Sequence, residues 1–169
     1  YAKSNDTNES SRIYSTSNGG ESWDIVGSGP ATNIIKGVVY VSSDVGFFCY
    51  DYVEGMDSNL YKTDDGGKTF AKVMLEEQEL DSSAANPQGQ ETETKTDSGK
   101  NGADSSEQLR WGDVYKEALT PVVDSTGIIT IYLTQGKNAV YNDGKTAAKY
   151  QSSDKGSTWK YIGQVEIKD

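Results

Sequence analysis

An eight-residue pattern occurs three times in this chain, and nothing else in the sequence restricts the fold as tightly. It reads TSNGGESW from Thr16 to Trp23, TDDGGKTF from Thr63 to Phe70, and SSDKGSTW from Ser152 to Trp159. Five positions are held in each copy: a hydroxyl, an acid or amide, a glycine, a second hydroxyl and an aromatic ring. The first copy supplies Thr16, Asn18, Gly20, Ser22 and Trp23; the second Thr63, Asp65, Gly67, Thr69 and Phe70; the third Ser152, Asp154, Gly156, Thr158 and Trp159. The physical content is a turn. The acid or amide oxygen accepts hydrogen bonds from backbone N–H groups ahead of it, and the glycine two positions later is free to take a positive φ. The second hydroxyl satisfies further backbone groups, and the aromatic ring opens the next strand and packs between sheets.

The flanks of each turn read as strands. SSRIYS, SNLYK and TAAKYQ precede the three copies, and SWDIVG, TFAKVML and TWKYIGQVEI follow them, with alternating apolar and polar positions. Two further runs lie upstream of the second copy, IIKGVVYVSS and GFFCYDYV. Two lie upstream of the third, ALTPVVDS and GIITIYLTQ. Each unit is therefore expected to be four antiparallel strands with the repeated turn between the third and fourth. The first unit lacks its first strand and most of its second, because YAK at residues 1–3 reads as a strand tail. The expected divisions are a partial unit at 1–33, a full unit at 34–75, an insertion at 76–118 and a third unit at 119–169.

The repeats begin 47 and then 89 residues apart, so one repeat plus an insertion of about 40 residues separates the last two. Residues 76–106 have almost no large apolar side chains and read as a loop. The following stretch, SSEQLRWGDVYKEAL, predicts a helix of about three turns, capped by Ser105 or Ser106, with Leu109, Trp111, Val114, Tyr115 and Ala118 on one face.

Composition excludes several chemistries. The chain has 169 residues, enough for a core without metal or disulfide support, and carries 26 acids against 16 bases for a formal charge of -10. That field opposes nucleic acids and anionic bilayers. No apolar run is long enough for a membrane span. There is no histidine, which removes Ser-His-Asp and Cys-His nucleophile systems. The one cysteine, Cys49, has no internal partner, and its neighbours Phe47, Phe48 and Tyr50 mark it as a buried thiol. Nothing in the sequence calls for a cofactor or a metal.

The repeated octapeptide resembles the Asp-box, or BNR, repeat of sialidases and related β-propellers, with residues 1–75 and 119–169 covered by the likeness. The resemblance implies an all-β fold of propeller blades, about two and a half of them. It also implies a structural role for Asn18, Asp65 and Asp154 on the rim opposite the ligand face. Asn18 and Ser22 in the first copy and Phe70 in the second depart from the family pattern while preserving the turn chemistry. Missing blades would come from a longer chain, or copies would associate to complete a ring, and the family points to an extracellular or cell-surface setting with any export signal removed.

On that topology the ligand rim is formed by residues 4–10, 54–58 and 135–145, by 27–33 and by the insertion. Trp111, Tyr115 and Tyr141 are candidate stacking platforms for sugars, with Arg110 and Asp143 as polar contacts; the competing reading is that Trp111 and Tyr115 anchor the inserted helix and that YNDG at 141–144 is a hairpin turn. A sialidase site of the family type needs three arginines, and this chain has only Arg12 and Arg110. Another glycosidase would need two carboxylates about 5 to 10 Å apart. Asp51, Glu54, Asp57, Asp113, Asp124 and Asp143 are available near strand ends. The expected function is a non-catalytic module binding glycan or protein, the alternatives being part of a propeller glycoside hydrolase, or an assembly-factor or sorting-receptor type of propeller.

Overall fold

The three repeated turns share one hydrogen-bond pattern, and that pattern explains their spacing. The structure is a computed structural model describing residues 2–3, 10–80, 110–136 and 141–167. In each turn the first hydroxyl donates to the acid or amide oxygen, over 2.9 Å for Thr16 to Asn18, 2.9 Å for Thr63 to Asp65 and 2.7 Å for Ser152 to Asp154. The same hydroxyl accepts the N–H of Gly20, Gly67 or Gly156 at 2.9, 2.9 and 2.8 Å. The acid or amide oxygen then accepts the N–H of Ser22, Thr69 or Thr158 at 3.0, 2.9 and 2.9 Å. One bond changes direction. The Thr69 and Thr158 hydroxyls donate to the second carboxylate oxygen at 2.6 Å, whereas the Asn18 amide donates to the Ser22 hydroxyl at 2.9 Å.

These bonds hold Asp65 and Asp154 well below the ordinary carboxylate value of 3.8, chiefly through the Thr69 and Thr158 hydroxyls and then their N–H groups. A folded-state value depressed below the unfolded one means that the stabilisation is complete above about pH 4 and is lost as the pH falls further. Asn18 carries no such proton. The Asp65→Asn, Asp154→Asn double variant is therefore expected to lose melting temperature less steeply than the parent between about pH 4 and pH 2. Circular dichroism melts across that range check it, with a residual slope from Asp57 and Asp124, which are also held low.

In the first two turns the positive-φ pair is Gly19–Gly20 and Gly66–Gly67, but in the third it is Lys155 at φ 57 followed by Gly156 at φ 77. A left-handed lysine costs roughly 1–2 kcal/mol, while an added glycine costs about 0.5–1 through the unfolded chain. Lys155→Gly is expected to stabilise the protein by about 0.5–1 kcal/mol, measurable by urea unfolding.

The flanking segments form three antiparallel sheets. The first contains β1 (Ala2–Lys3), β2 (Arg12–Ser15) and β3 (Asp24–Ser28). The second runs in order through β4 (Ile35–Tyr40), β5 (Gly46–Tyr50), β6 (Leu60–Thr63) and β7 (Ala71–Lys72). The third contains β8 (Glu117–Ala118) and β9 (Val122–Val123), both paired with β10 (Ile129–Thr134), then β11 (Thr146–Ser152) and β12 (Lys160–Glu166). The run ALTPVVDS, expected as one strand, is thus split at Pro121, which has no N–H for the ladder. Among the described residues the sheets do not close into a ring.

The sheets stack in chain order. Strand β5 is buried along its whole length, because alternate residues face opposite neighbours. Phe48 and Tyr50 join Ile13 of the first sheet, while Phe47 and Cys49 join Leu60 and, from the third sheet, Ile129 and Ile131. Burial drives the Cys49 thiol up to about 11, as an unreactive core sulfur requires. Side-chain-free backbone lets the layers approach: a Cβ on Gly37 would lie 2.4 Å from the Thr120 hydroxyl, and one on Gly27 would lie 2.2 Å from the Gly67 carbonyl.

Counting back three residues from the first hydroxyl of each turn gives Ile13, Leu60 and Lys149. Ile13 and Leu60 are buried against the next sheet in the stack. Lys149 and its cross-strand partner Tyr132 alternate with Tyr150 and Ile131, and so lie on the face of the third sheet turned away from the second.

Among its described residues the inserted segment adds no sheet of its own. Its described end is a single helical turn, α1 (Trp111–Val114), shorter than expected, and the expected caps Ser105 and Ser106 and the apolar Leu109 lie outside the described residues. Ala118, expected on the helix, belongs instead to β8, where its backbone is claimed by the buried Asn59.

Candidate binding cleft

Strands β5 and β6 run between the repeated turn at one end and the 51–59 connection at the other. That connection, the exit of β7 and the helix α1 all lie at the end opposite the turns, and a cleft of about 400 Å³ opens between them. Its position follows from local chemistry. Gly55 takes φ 90 in the loop, and Met56 N–H bonds to Val53 O at 3.0 Å, which turns the chain so that Met56 faces inward. Residues 73–77 leave β7 along the other wall, where the Tyr150 hydroxyl donates to Glu76 O at 2.7 Å.

The floor is Leu60, Val73, Leu75 and Leu133, with Trp111 and Tyr115 closing one side. Asn59 fastens the base. Its side-chain amide donates to Tyr50 O and Ala118 O and accepts the Ala118 N–H, each at 2.9 Å, so one side chain joins the second sheet to the third.

Charges ring the mouth. Lys116 bonds Glu54 at 3.0 Å, Lys72 is paired with Asp57, and Arg110 sits 3.8 Å from Asp113. Asp57 is held below the usual carboxylate range by the Lys72 hydrogen bond, whereas a glycosidase acid must be raised. Glu77 also lines the cleft, with a carboxylate oxygen 2.7 Å from where a Cβ on Gly112 would be.

The structure brings three of the sequence-predicted site residues together. Trp111 and Tyr115 have ring centroids 4.6 Å apart, and Tyr115 and Tyr141 are 6.1 Å apart. All three are buried, at 4%, 3% and 1% exposure, and Tyr161 packs edge-on against Trp111. With Tyr150 and Ala148 they form the core that seats α1 over the outer strands of the third sheet, on the face that also meets the second. The Tyr115 hydroxyl is engaged by Thr146 at 2.8 Å, and burial raises its pKa. The Trp111 indole N–H lies by the Tyr150 hydroxyl, outside hydrogen-bond geometry. Arg110 is exposed at the start of α1. Asp143 is exposed at the tip of the YNDG turn, where it and Asn142 have φ 55 and 47, the left-handed pair of a tight hairpin connection. It does not join the aromatic group. The Gln135 amide fixes this turn by bonding Tyr141 O at 2.7 Å and receiving Tyr141 N–H at 3.0 Å.

The sequence reading missed both methionines. Met56 and Met74 are the only two in the chain, and both line this cleft. Their rarity and their placement beside predicted strand ends were the available signal. The rim loop 4–10 and residues 137–140 lie outside the described residues, apart from Ser10. No protein-family profile, curated protein or solved structure matches this chain.

Proposed function

We propose that the chain is a non-catalytic recognition module built from Asp-box blades of propeller type, binding a glycan or protein through the rim opposite the repeated turns. The observation that carries this reading is the cleft of about 400 Å³ at that rim, a volume within the range that ligand sites occupy. The turns themselves spend their acids on internal backbone and hydroxyl bonds, which supports an architectural role for them. Loops held on a rigid sheet scaffold are where recognition commonly resides.

The test is capture by the full 169-residue chain on arrays of glycans and of immobilised proteins, repeated with Met74→Glu. Met74 is 78% exposed, so the substitution leaves the core intact while placing a charge in the cleft. Loss of the captured ligand with an unchanged melting temperature is the expected result. Capture unaffected by Met74→Glu, together with loss on altering the turn rim, would reverse the assignment of faces.

A further inference from the structure

Resting on that reading of the cleft, we infer that its partner is a basic peptide segment, with the aliphatic stem of an arginine or lysine on the floor and its cation at the mouth. The lining is amphipathic in the same sense as such a side chain. Met56, Met74 and Leu75 offer apolar surface, and unbranched thioethers adapt to stems of differing shape. Four carboxylates, Glu54, Asp57, Glu77 and Asp113, line the cleft against one lysine, Lys116. Two of those acids have direct lysine partners and Asp113 has Arg110 nearby, but Glu77 has no basic partner among the described residues. An incoming guanidinium therefore meets an unneutralised carboxylate over an apolar floor. The formal charge of -10 adds a long-range pull on a cationic partner.

The experiment titrates the full chain with an end-blocked hexapeptide alternating leucine and arginine, and with counterparts carrying glutamine or glutamate in place of arginine. Binding is read by calorimetry, and occupancy by protection of Met56 and Met74 from peroxide oxidation, mapped by mass spectrometry. The arginine peptide is expected to bind, to shield both methionines, and to weaken steeply when salt shortens the Debye length from roughly 10 Å towards 3 Å. Glu77→Lys should lower its affinity about fivefold to tenfold, with Glu77→Gln intermediate. Glu21→Lys makes the same change in net charge at an exposed site by the first turn, and should have little effect.

Equal loss in Glu77→Lys and Glu21→Lys, or binding of the arginine peptide without shielding of the methionines, would overturn the inference. If the glutamine peptide or a neutral glycan shields the methionines better than the arginine peptide, the basic partner is wrong while the cleft remains the recognition site. If nothing captured by the chain shields them, the assignment of the cleft falls as well.

Discussion

Asn59→Ala is expected to cost about 3–5 kcal/mol, which for a domain of this kind is a large part of total stability. Asn59 is 1% exposed, and its amide supplies what a passing strand would otherwise supply: a donor for Ala118 O, an acceptor for Ala118 N–H and a second donor bond to Tyr50 O. Truncation leaves Ala118 N–H without its partner, leaves Ala118 O with only the weak Cys49 thiol donor at 3.3 Å, and opens a small cavity at the junction of two sheets, and both terms act in one direction. Asn59→Leu fills the volume without restoring a bond and should recover little. Asn59→Asp keeps the acceptor for Ala118 N–H but turns an oxygen towards two carbonyls, so it should fold with the carboxyl protonated and destabilise progressively as the pH rises above the unfolded carboxyl value of about 4. Urea unfolding gives the magnitudes, and hydrogen exchange at Ala118 gives the location. Loss of less than about 1 kcal/mol in Asn59→Ala would show that the junction is held elsewhere.

Gly156→Ala should cost about 2–4 kcal/mol, and Gly20→Ala only about 1–2, although the two glycines occupy the same position of the repeat. Both have positive φ, at 77 and 98. They differ in what lies beside them. A Cβ on Gly156 would come 2.5 Å from Phe47 Cζ and 3.0 Å from Cε1, and Phe47 is fully buried with no room to retreat. A Cβ on Gly20 meets only Trp23, no nearer than 3.8 Å, and Trp23 is 49% exposed. The glycine is thus needed twice in the third turn, for backbone conformation and for the approach of the neighbouring sheet, and once in the first. Thermal melts of the two variants should separate them clearly. Equal costs would mean that φ alone governs the position.

What was legible in the sequence was local. The repeated turns announce themselves because every bond within them spans two to four residues, and the strands beside them because alternation needs no knowledge of the partner. Asn59 was invisible for the opposite reason: it sits in an ordinary polar stretch, SNLYK, and its partner is 59 residues away along the chain. The aromatic residues Trp111, Tyr115 and Tyr141 were recognised as a group by type and position. Whether such rings face a ligand or one another depends on packing that spacing does not encode, and here each is buried among the others. The length of α1 was overestimated because an apolar period was carried through Ala118, whose place is decided by a bond from another sheet. The cleft needed four parts of the chain, 52–60, 73–77, 111–118 and Leu133 of β10, and only the 54–58 loop and the insertion could be marked as rim from the strand order alone.

Lys149 stands where Ile13 and Leu60 stand in the other two sheets. A second molecule covering that side would have to strip water from an ammonium group, where the seams between the described sheets bury Ile13 and Leu60 instead. That face thus mixes a charge with apolar surface at Val122, which is 59% exposed and pairs with Thr130 two residues from Tyr132. A copy that repeated the internal contacts end to end would bury that ammonium group, a cost that the seams between the described sheets do not carry.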